Sequence, residues 1–324
     1  MTAMEEASSH FDGSMVSGLC SIVIPVFGRT DELHEAIESV LEQTYRNVEI
    51  VVVDDGSTPP LDPVRDGRAC AEQGIPLKWI ALPSNHGPSA ARNTGLQSAR
   101  GEFVTFLDSD DAMFRGKLEE QIRILRENPN VAAVMCGYAT SGDAAKSDGE
   151  YRDHLPTGEF ALERLLAFDR SLSVTGSAGL YRAASVREVD GFDPLLHAVE
   201  DFDLLARIVA NGGTITTRRK ALLHVDVSSK RSHLSNDLKK QENGRVRFLK
   251  KHDALLARAP KARIESLLLL GIVRFRLGER RQSIWDLMRV VRSRPLRLKA
   301  WMYLFFCAVP SLYPLVARTA RARL

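Results

Sequence analysis

The sequence predicts an α/β fold built on a doubly wound, mostly parallel sheet, with a helical extension at the C-terminus. Three observations carry this. Short apolar runs bounded by turn residues alternate with amphipathic helical stretches between residues 20 and 135, the pattern of strands joined by crossover helices. The polar residues of that half gather at the ends of the apolar runs, where such sheets bind ligands. From residue 260 the pattern becomes helical and strongly basic. Fourteen Lys+Arg stand there against 3 Asp+Glu, an excess of 11 that leaves −8 for residues 1–259 of a chain with net charge +3.

Each element follows from local pattern. Residues 1–18 hold Glu5, Glu6 and Asp12 but no cationic cluster or apolar run. That is not the pattern of a signal peptide and predicts a flexible leader, with Met15 as a second translation start. Cys20–Val26 reads as a buried strand. Arg29–Gln43, with Leu33, Ile37, Val40 and Leu41, has the spacing of an amphipathic helix. Val48–Val53 is a second buried strand and Leu77–Leu82 a third. Pro88–Ala99 is a helix with proline in its first turn. A strand over Phe103–Leu107, a helix over Lys117–Leu125 and a strand over Val131–Met135 complete the N-terminal half. A chain of 324 residues, 44% apolar and 26% charged, can bury a full core. Its four cysteines form no CxxC pair, so neither a disulfide framework nor a zinc site is expected and a cytoplasmic setting fits.

The most informative stretch is Gly101-Glu-Phe-Val-Thr-Phe-Leu-Asp108-Ser-Asp110-Asp111. An apolar strand breaks there into three carboxylates, a donor set suited to Mg2+ or Mn2+ bridging to a phosphate ester. A polar turn is the competing reading, because Asp and Ser favour turns. Asp54 and Asp55 end the second strand in the same way, and either alone would pass for a turn residue. No G-x-G-x-x-G follows the first strand and no P-loop motif is present.

Together these residues resemble those of the family-2 glycosyltransferases, inverting enzymes of GT-A fold. The matching segments are Ser21-Ile-Val-Ile-Pro-Val-Phe, Ser39-Val-Leu-Glu-Gln-Thr-Tyr, Glu49-Ile-Val-Val-Val-Asp-Asp-Gly-Ser, Asn85-His-Gly-Pro-Ser-Ala-Ala-Arg-Asn-Thr-Gly95 and Phe106-Leu-Asp-Ser-Asp-Asp. The resemblance implies that Pro25, Val26 and Asp54 or Asp55 hold the base and ribose of a sugar nucleotide. It places Arg92 at the border of that pocket and makes Asp108 and Asp110 the DxD pair, with Asp110 the main ligand of Mg2+ or Mn2+. The catalytic domain would span residues 19–235, divided into a nucleotide-sugar half, 19–138, and an acceptor half, 139–235.

In the acceptor half, Val199–Ala210 reads as a helix whose Leu204, Leu205 and Ile208 fall three, four and seven residues after Asp201, so Asp201 points with the buried face. Spacing alone leaves a first-turn acid complementing the helix dipole as the simpler reading. The run Gly191-Phe-Asp-Pro-Leu-Leu-His-Ala-Val-Glu-Asp resembles the family segment whose second acid is the catalytic base, which implies Asp201, with Glu200 and Asp203 as fallbacks. The resemblance implies metal-dependent transfer from a nucleotide-sugar donor to a glycan or lipid-linked acceptor, in cell-surface or secreted polysaccharide synthesis on the cytoplasmic face of a membrane. His224 and His233 lie where relatives often carry a histidine near the diphosphate, but the pattern departs here and an ordinary structural role is expected of each.

Residues 236–324 are expected to be a helical basic extension. Leu267–Leu277 and the segment after Gly278 read as two antiparallel helices resembling a single tetratricopeptide unit. The apolar run from Trp301 to Val316 is broken by Pro310 and Pro314, which makes a poor membrane span. It either packs on the catalytic domain or lies on an anionic membrane surface as a peripheral contact. No nucleic-acid motif accompanies the basic charge. Two other functions compete: a sugar-phosphate nucleotidyltransferase, disfavoured because Phe27-Gly28-Arg29-Thr30 is the wrong loop for it, and a non-catalytic glycan-binding protein on the same fold, disfavoured by the intact Asp108, Asp110 and Asp201.

Overall fold

The computed structural model describes residues 15–140, 159–169, 172, 174–226 and 237–313. Its strands are β1 (Val16–Val26), β2 (Val48–Asp54), β3 (Leu77–Ala81), β4 (Gly101–Phe106), β5 (Asp111–Met113), β6 (Val131–Thr140), β7 (Leu180–Arg182) and β8 (Thr214–Val225). Among the described residues they form one sheet in the order β3-β2-β1-β4-β7-β6-β8-β5. The pairs β3–β2, β2–β1, β1–β4 and β6–β8 are parallel. Those flanking β7, and the β5–β8 pair, are antiparallel. The sheet is therefore mixed but mostly parallel, as expected.

Burial explains why the strands read so clearly. Every residue of β2 is buried, as required of a parallel strand covered on both faces. Its one acid, Glu49, accepts from Ser21 Oγ and the Arg100 backbone N–H, both at 2.7 Å. Helix α1 (Thr30–Leu41) buries Leu33, Ala36, Ile37, Val40 and Leu41, the stripe its spacing implied. After α2 (Val64–Glu72) comes α3 (Pro88–Ser98). At Gly95 of α3 a β-carbon would sit 2.3 Å from Val23 Cγ1, so the Arg92-Asn-Thr-Gly95 turn can approach β1 only without a side chain there. Helices α4 (Lys117–Glu127), α5 (Glu159–Leu166), α6 (Ala183–Arg187) and α7 (Glu200–Ala210) complete this part. In α7, Leu204, Leu205 and Ile208 are all buried.

Some expectations shift. Strand β1 starts at Val16, inside the stretch read as a leader, because the Val16 N–H bonds to the Arg100 carbonyl at 2.8 Å. Residues 1–14 lie outside the described residues. Helix α2 and strands β5, β7 and β8 escaped the sequence reading: β5 and β7 are three residues each, too short to show a period, and β8 contains Thr-Thr-Arg-Arg-Lys. Within the expected acceptor half, residues 141–158 lie outside the described residues.

The chain divides into two compact units, one of residues 1–161, 170–195 and 200–231, the other of 162–169, 196–199 and 232–324. The second contains α8 (Leu238–Lys251), α9 (Asp253–Arg258), α10 (Pro260–Leu277), α11 (Arg280–Ser293) and α12 (Leu298–Ala308). Helices α10 and α11 form the expected pair, with Gly278 at φ +82 closing α10. Their core joins Leu267, Leu268, Phe275, Leu287, Val290 and Val291 to Ala300, Phe306 and Cys307 of α12. Arg274 ties the α8 acid Glu242 at 2.9 Å to Asp286 at 2.7 Å. No described helix is long and apolar enough to cross a membrane.

Candidate active site

Parallel strands deliver their last residues to one edge, and the polar residues of the first unit collect there. Pro25 and Val26 end β1 in register with Val53 and Asp54 of β2. Asp54 is spent on its own turn: Oδ1 accepts from the Ser57 N–H at 3.0 Å and Oδ2 from that of Leu61 at 3.4 Å. Asp55 instead reaches across to the loop before α3, accepting from the His86 and Gly87 N–H groups at 2.8 Å each. That bidentate grip fixes the start of the helix carrying Arg92.

Arg92 is the hub of the site. Its side chain is buried and donates to Asp108 Oδ1 at 2.6 Å and to Glu200 Oε1 at 3.2 Å, while its guanidinium lies 5.2 Å from the centre of the Phe192 ring. Asn93 beside it holds Phe192 from both sides, donating to its carbonyl and accepting its N–H, each at 2.8 Å. Burial by itself weakens the arginine's charge, but Asp108, Asp201 and Glu200 together hold its pKa above the ordinary guanidinium value. Arg92 is thus a buried residue of α3 and not one on a solvated helix face.

The acidic cluster after β4 is sorted by partner. Asp108 keeps a side chain that is 35% exposed, with Arg92 on one oxygen. Asp110 pairs with Arg29, the residue just before α1. Asp111 is buried, and that burial, with the nearby charges of Asp108 and Asp110, pushes its carboxyl up to about 8 against hydrogen bonds with Ser177 and the Asp226 backbone. A cleft of about 200 Å³ is lined by Asp110, Asp111, Glu32, Glu35, Ala112, His224 and Asp226. His224 reaches it because β8 pairs with β5, Ala112 opposite His224. His233 lies outside the described residues.

Asp201 stands in the first turn of α7, where Val199 just before it takes φ +62, an outlier for a β-branched residue. Its Oδ1 is out of solvent and has no hydrogen-bond partner among the described residues. Burial above all, then the like charge of Glu200, push the carboxyl up to about 8, although Arg92 and a hydrogen bond from the Gly176 backbone pull the other way. Of the two fallbacks, Glu200 is held by Arg92, while Asp203 is fully buried and paired with Arg207 at 2.7 Å. Asp203 is therefore structural.

Sequence reasoning missed the turn Gly176-Ser177-Ala178. Ser177 Oγ accepts the Asp108 N–H at 3.0 Å and bonds Asp111, so one hydroxyl positions two acids of the cluster. A β-carbon on Gly176 would lie 3.2 Å from Arg92 Nη2 and 3.4 Å from Asp201 Oδ1. Only a short Gly-Ser pair, of a kind found elsewhere in the chain, signalled this, and sequence separation hid it.

The family model described as glycosyl transferase family 2 matches residues 21–190, just over half of the chain. An uncharacterised glycosyltransferase of Rickettsia conorii is 36% identical over 141 residues, 44% of this chain and 22% of that protein. The matches cover 22% to 43% of the length of the first curated relatives, so this chain corresponds to under half of each. Among solved structures, S. aureus TarS 1–349 in complex with UDP-GlcNAc has a TM-score of 0.57 at 21% identity, covering 84% of this chain and 80% of that one. The mannosyltransferase PcManGT from Pyrobaculum calidifontis, in complex with GDP-Man and Mn2+, has a TM-score of 0.59 at 18% identity, covering 93% and 83%. At such identities the likeness is one of fold, the GT-A type.

Proposed function

The chain belongs to glycosyl transferase family 2, and on that premise we propose that it is a metal-dependent inverting glycosyltransferase. It would move a sugar from a nucleotide-sugar donor to a glycan or lipid-linked acceptor in cell-surface or secreted polysaccharide synthesis. The observation that carries this reading is the Asp201 carboxyl, which combines an unpartnered buried oxygen with a pKa raised to about 8. An acid poised near neutral pH is suited to accepting a proton during reaction.

In this reading Asp201 takes the proton of an acceptor hydroxyl as that oxygen bonds to the anomeric carbon. The bond from that carbon to the diphosphate breaks on the opposite face, so configuration inverts. Arg92 keeps Asp108 and Glu200 in place, while Asp201 has no ion pair of its own among the described residues. Pro25, Val26, Asp54 and Asp55 would border the base and ribose, with the exposed Phe27 beside them as an aromatic face.

The donor chemistry of the cluster fits Mg2+ or Mn2+. No group of three His, Cys, Asp or Glu among the described residues forms a ready cation cage, yet ions of this kind are commonly held by one or two carboxylates together with substrate phosphates. Asp110 and Asp108 would be those carboxylates. The ion's contribution when bound is to offset charge developing on the departing diphosphate.

The localisation proposed is cytoplasmic, at the inner face of a membrane, with α12 as the peripheral contact. UDP-GlcNAc and GDP-Man, bound by the two structural neighbours, are the first donors to try. A thermal-shift panel of nucleotide sugars, run with Mn2+ and again with chelator, tests the reading. One donor class should raise the melting temperature with metal and not without it; a panel with no stabilising donor in either condition would remove the proposal.

A further inference from the structure

Arg29 was no part of the sequence-based site, yet it is the residue that holds Asp110. Its backbone is fixed. The Gly28 N–H donates to Ser57 Oγ at 2.8 Å, and the Arg29 carbonyl accepts the Leu33 N–H at 3.3 Å, opening α1. The side chain is another matter: it is 29% exposed, where that of Arg92 is 4% exposed and locked between two acids and an aromatic ring. Of the two guanidinium groups that the described residues pair with Asp108 and Asp110, that of Arg29 is the one with solvent to move into.

The charge balance gives that freedom a purpose. Among the described residues two arginines face Asp108 and Asp110, with Asp111 buried beside them, and Arg92 is shared with Glu200. A divalent cation meets this excess of carboxylate better than one guanidinium does, and a partly exposed ion pair is weak enough to be exchanged. We propose that Arg29 is a placeholder cation that neutralises Asp110 until a divalent ion binds there, then turns its freed guanidinium to the diphosphate of the donor. This rests on the reading of Asp110 as a metal ligand. Arg29 would thus be a positioning residue, setting the order in which metal and donor are met.

Its signature is a pair of opposite changes. In the full chain, Arg29→Gln removes the competitor, so Mn2+ alone, followed by the paramagnetic resonance of the free ion, should bind roughly two- to fivefold tighter than to the wild type. At saturating Mn2+, UDP or GDP, whichever the wild type binds, should bind more weakly to the same variant, because one phosphate-facing cation is gone. Arg29→Lys, which keeps the charge, should stay near the wild type in both measurements and guards against a folding defect. Unchanged or weaker Mn2+ binding by Arg29→Gln would overturn the proposal, as would a parallel fall in both affinities. An Asp110→Asn control separates the two layers: if it binds Mn2+ like the wild type, the metal-ligand reading has failed rather than the role of Arg29.

Discussion

Arg92 and Asp108 lie sixteen positions apart, on α3 and just beyond β4, and meet at 2.6 Å through Nη2 and Oδ1. Because Arg92 also reaches Glu200 at 3.2 Å, this contact ties the acidic cluster of the sheet edge to the head of the helix carrying Asp201.

Removing that arginine should cost stability before it costs chemistry. Arg92→Met leaves Asp108 and Glu200 without their cation, and breaking such a pair by deleting one partner costs about 3 kcal/mol, less where one member is partly exposed. Urea unfolding should show the midpoint fall with the slope unchanged. Arg92→Lys should recover little, since a single ammonium cannot span both acids.

The pH dependence follows from Asp201. Its carboxyl sits at about 8 in the fold against an ordinary 3.8, chiefly through burial and then Glu200. The folded protein therefore keeps a proton that the unfolded chain has lost, and this contribution to stability declines as pH rises between those values. Transfer needs the deprotonated form, so kcat/KM should climb toward an inflection near 8. Glu200→Gln removes the like charge and should move that limb to lower pH; a limb that stays put would detach it from Asp201.

Much of this site was legible because the signals were local. Asp108 and Asp110 stood out where an apolar run broke into carboxylates, whereas Asp201 needed the resemblance of the run from Gly191, since the stripe of Leu204, Leu205 and Ile208 suited an ordinary first-turn acid equally well. What stayed hidden depends on chain crossings. Arg29 meets Asp110 from 81 residues away, and Ser177 meets Asp108 from 69. The burial of Asp203 against Arg207 distinguishes it from Asp201 two residues earlier, yet both looked alike as acids in a first helical turn. The use of Asp55 as a backbone clamp on His86 and Gly87 likewise needed the strand order to be seen.

Metal dependence is the next expectation. Asp110→Ala should abolish most of the Mn2+-dependent part of nucleotide binding, measured by calorimetry with UDP and with GDP. Nucleotide affinity that is undiminished in chelator would dissociate the acidic cluster from the donor.

The C-terminal helix offers a separate test. On α12, Leu298, Trp301, Met302 and Phe305 are exposed while Ala300, Phe306 and Cys307 are buried in the helical core, and no acid follows Asp286 in the chain. Truncation would uncover that core, so the cleaner change is Trp301→Glu with Phe305→Glu. Wild-type protein should float with anionic liposomes and lose part of that binding as salt rises, each nearby cation contributing about 1 kcal/mol. The double variant should float less; equal flotation would confine α12 to packing.

The most direct test of the central claim is Asp201→Asn, assayed for donor binding and for sugar transfer in the same preparation. The expected result is donor affinity near that of the wild type with transfer reduced by about 10²-fold or more, the loss that follows removal of a general base. Transfer at the wild-type rate by Asp201→Asn, with Glu200→Gln inactive, would contradict it and move the base one residue along the helix.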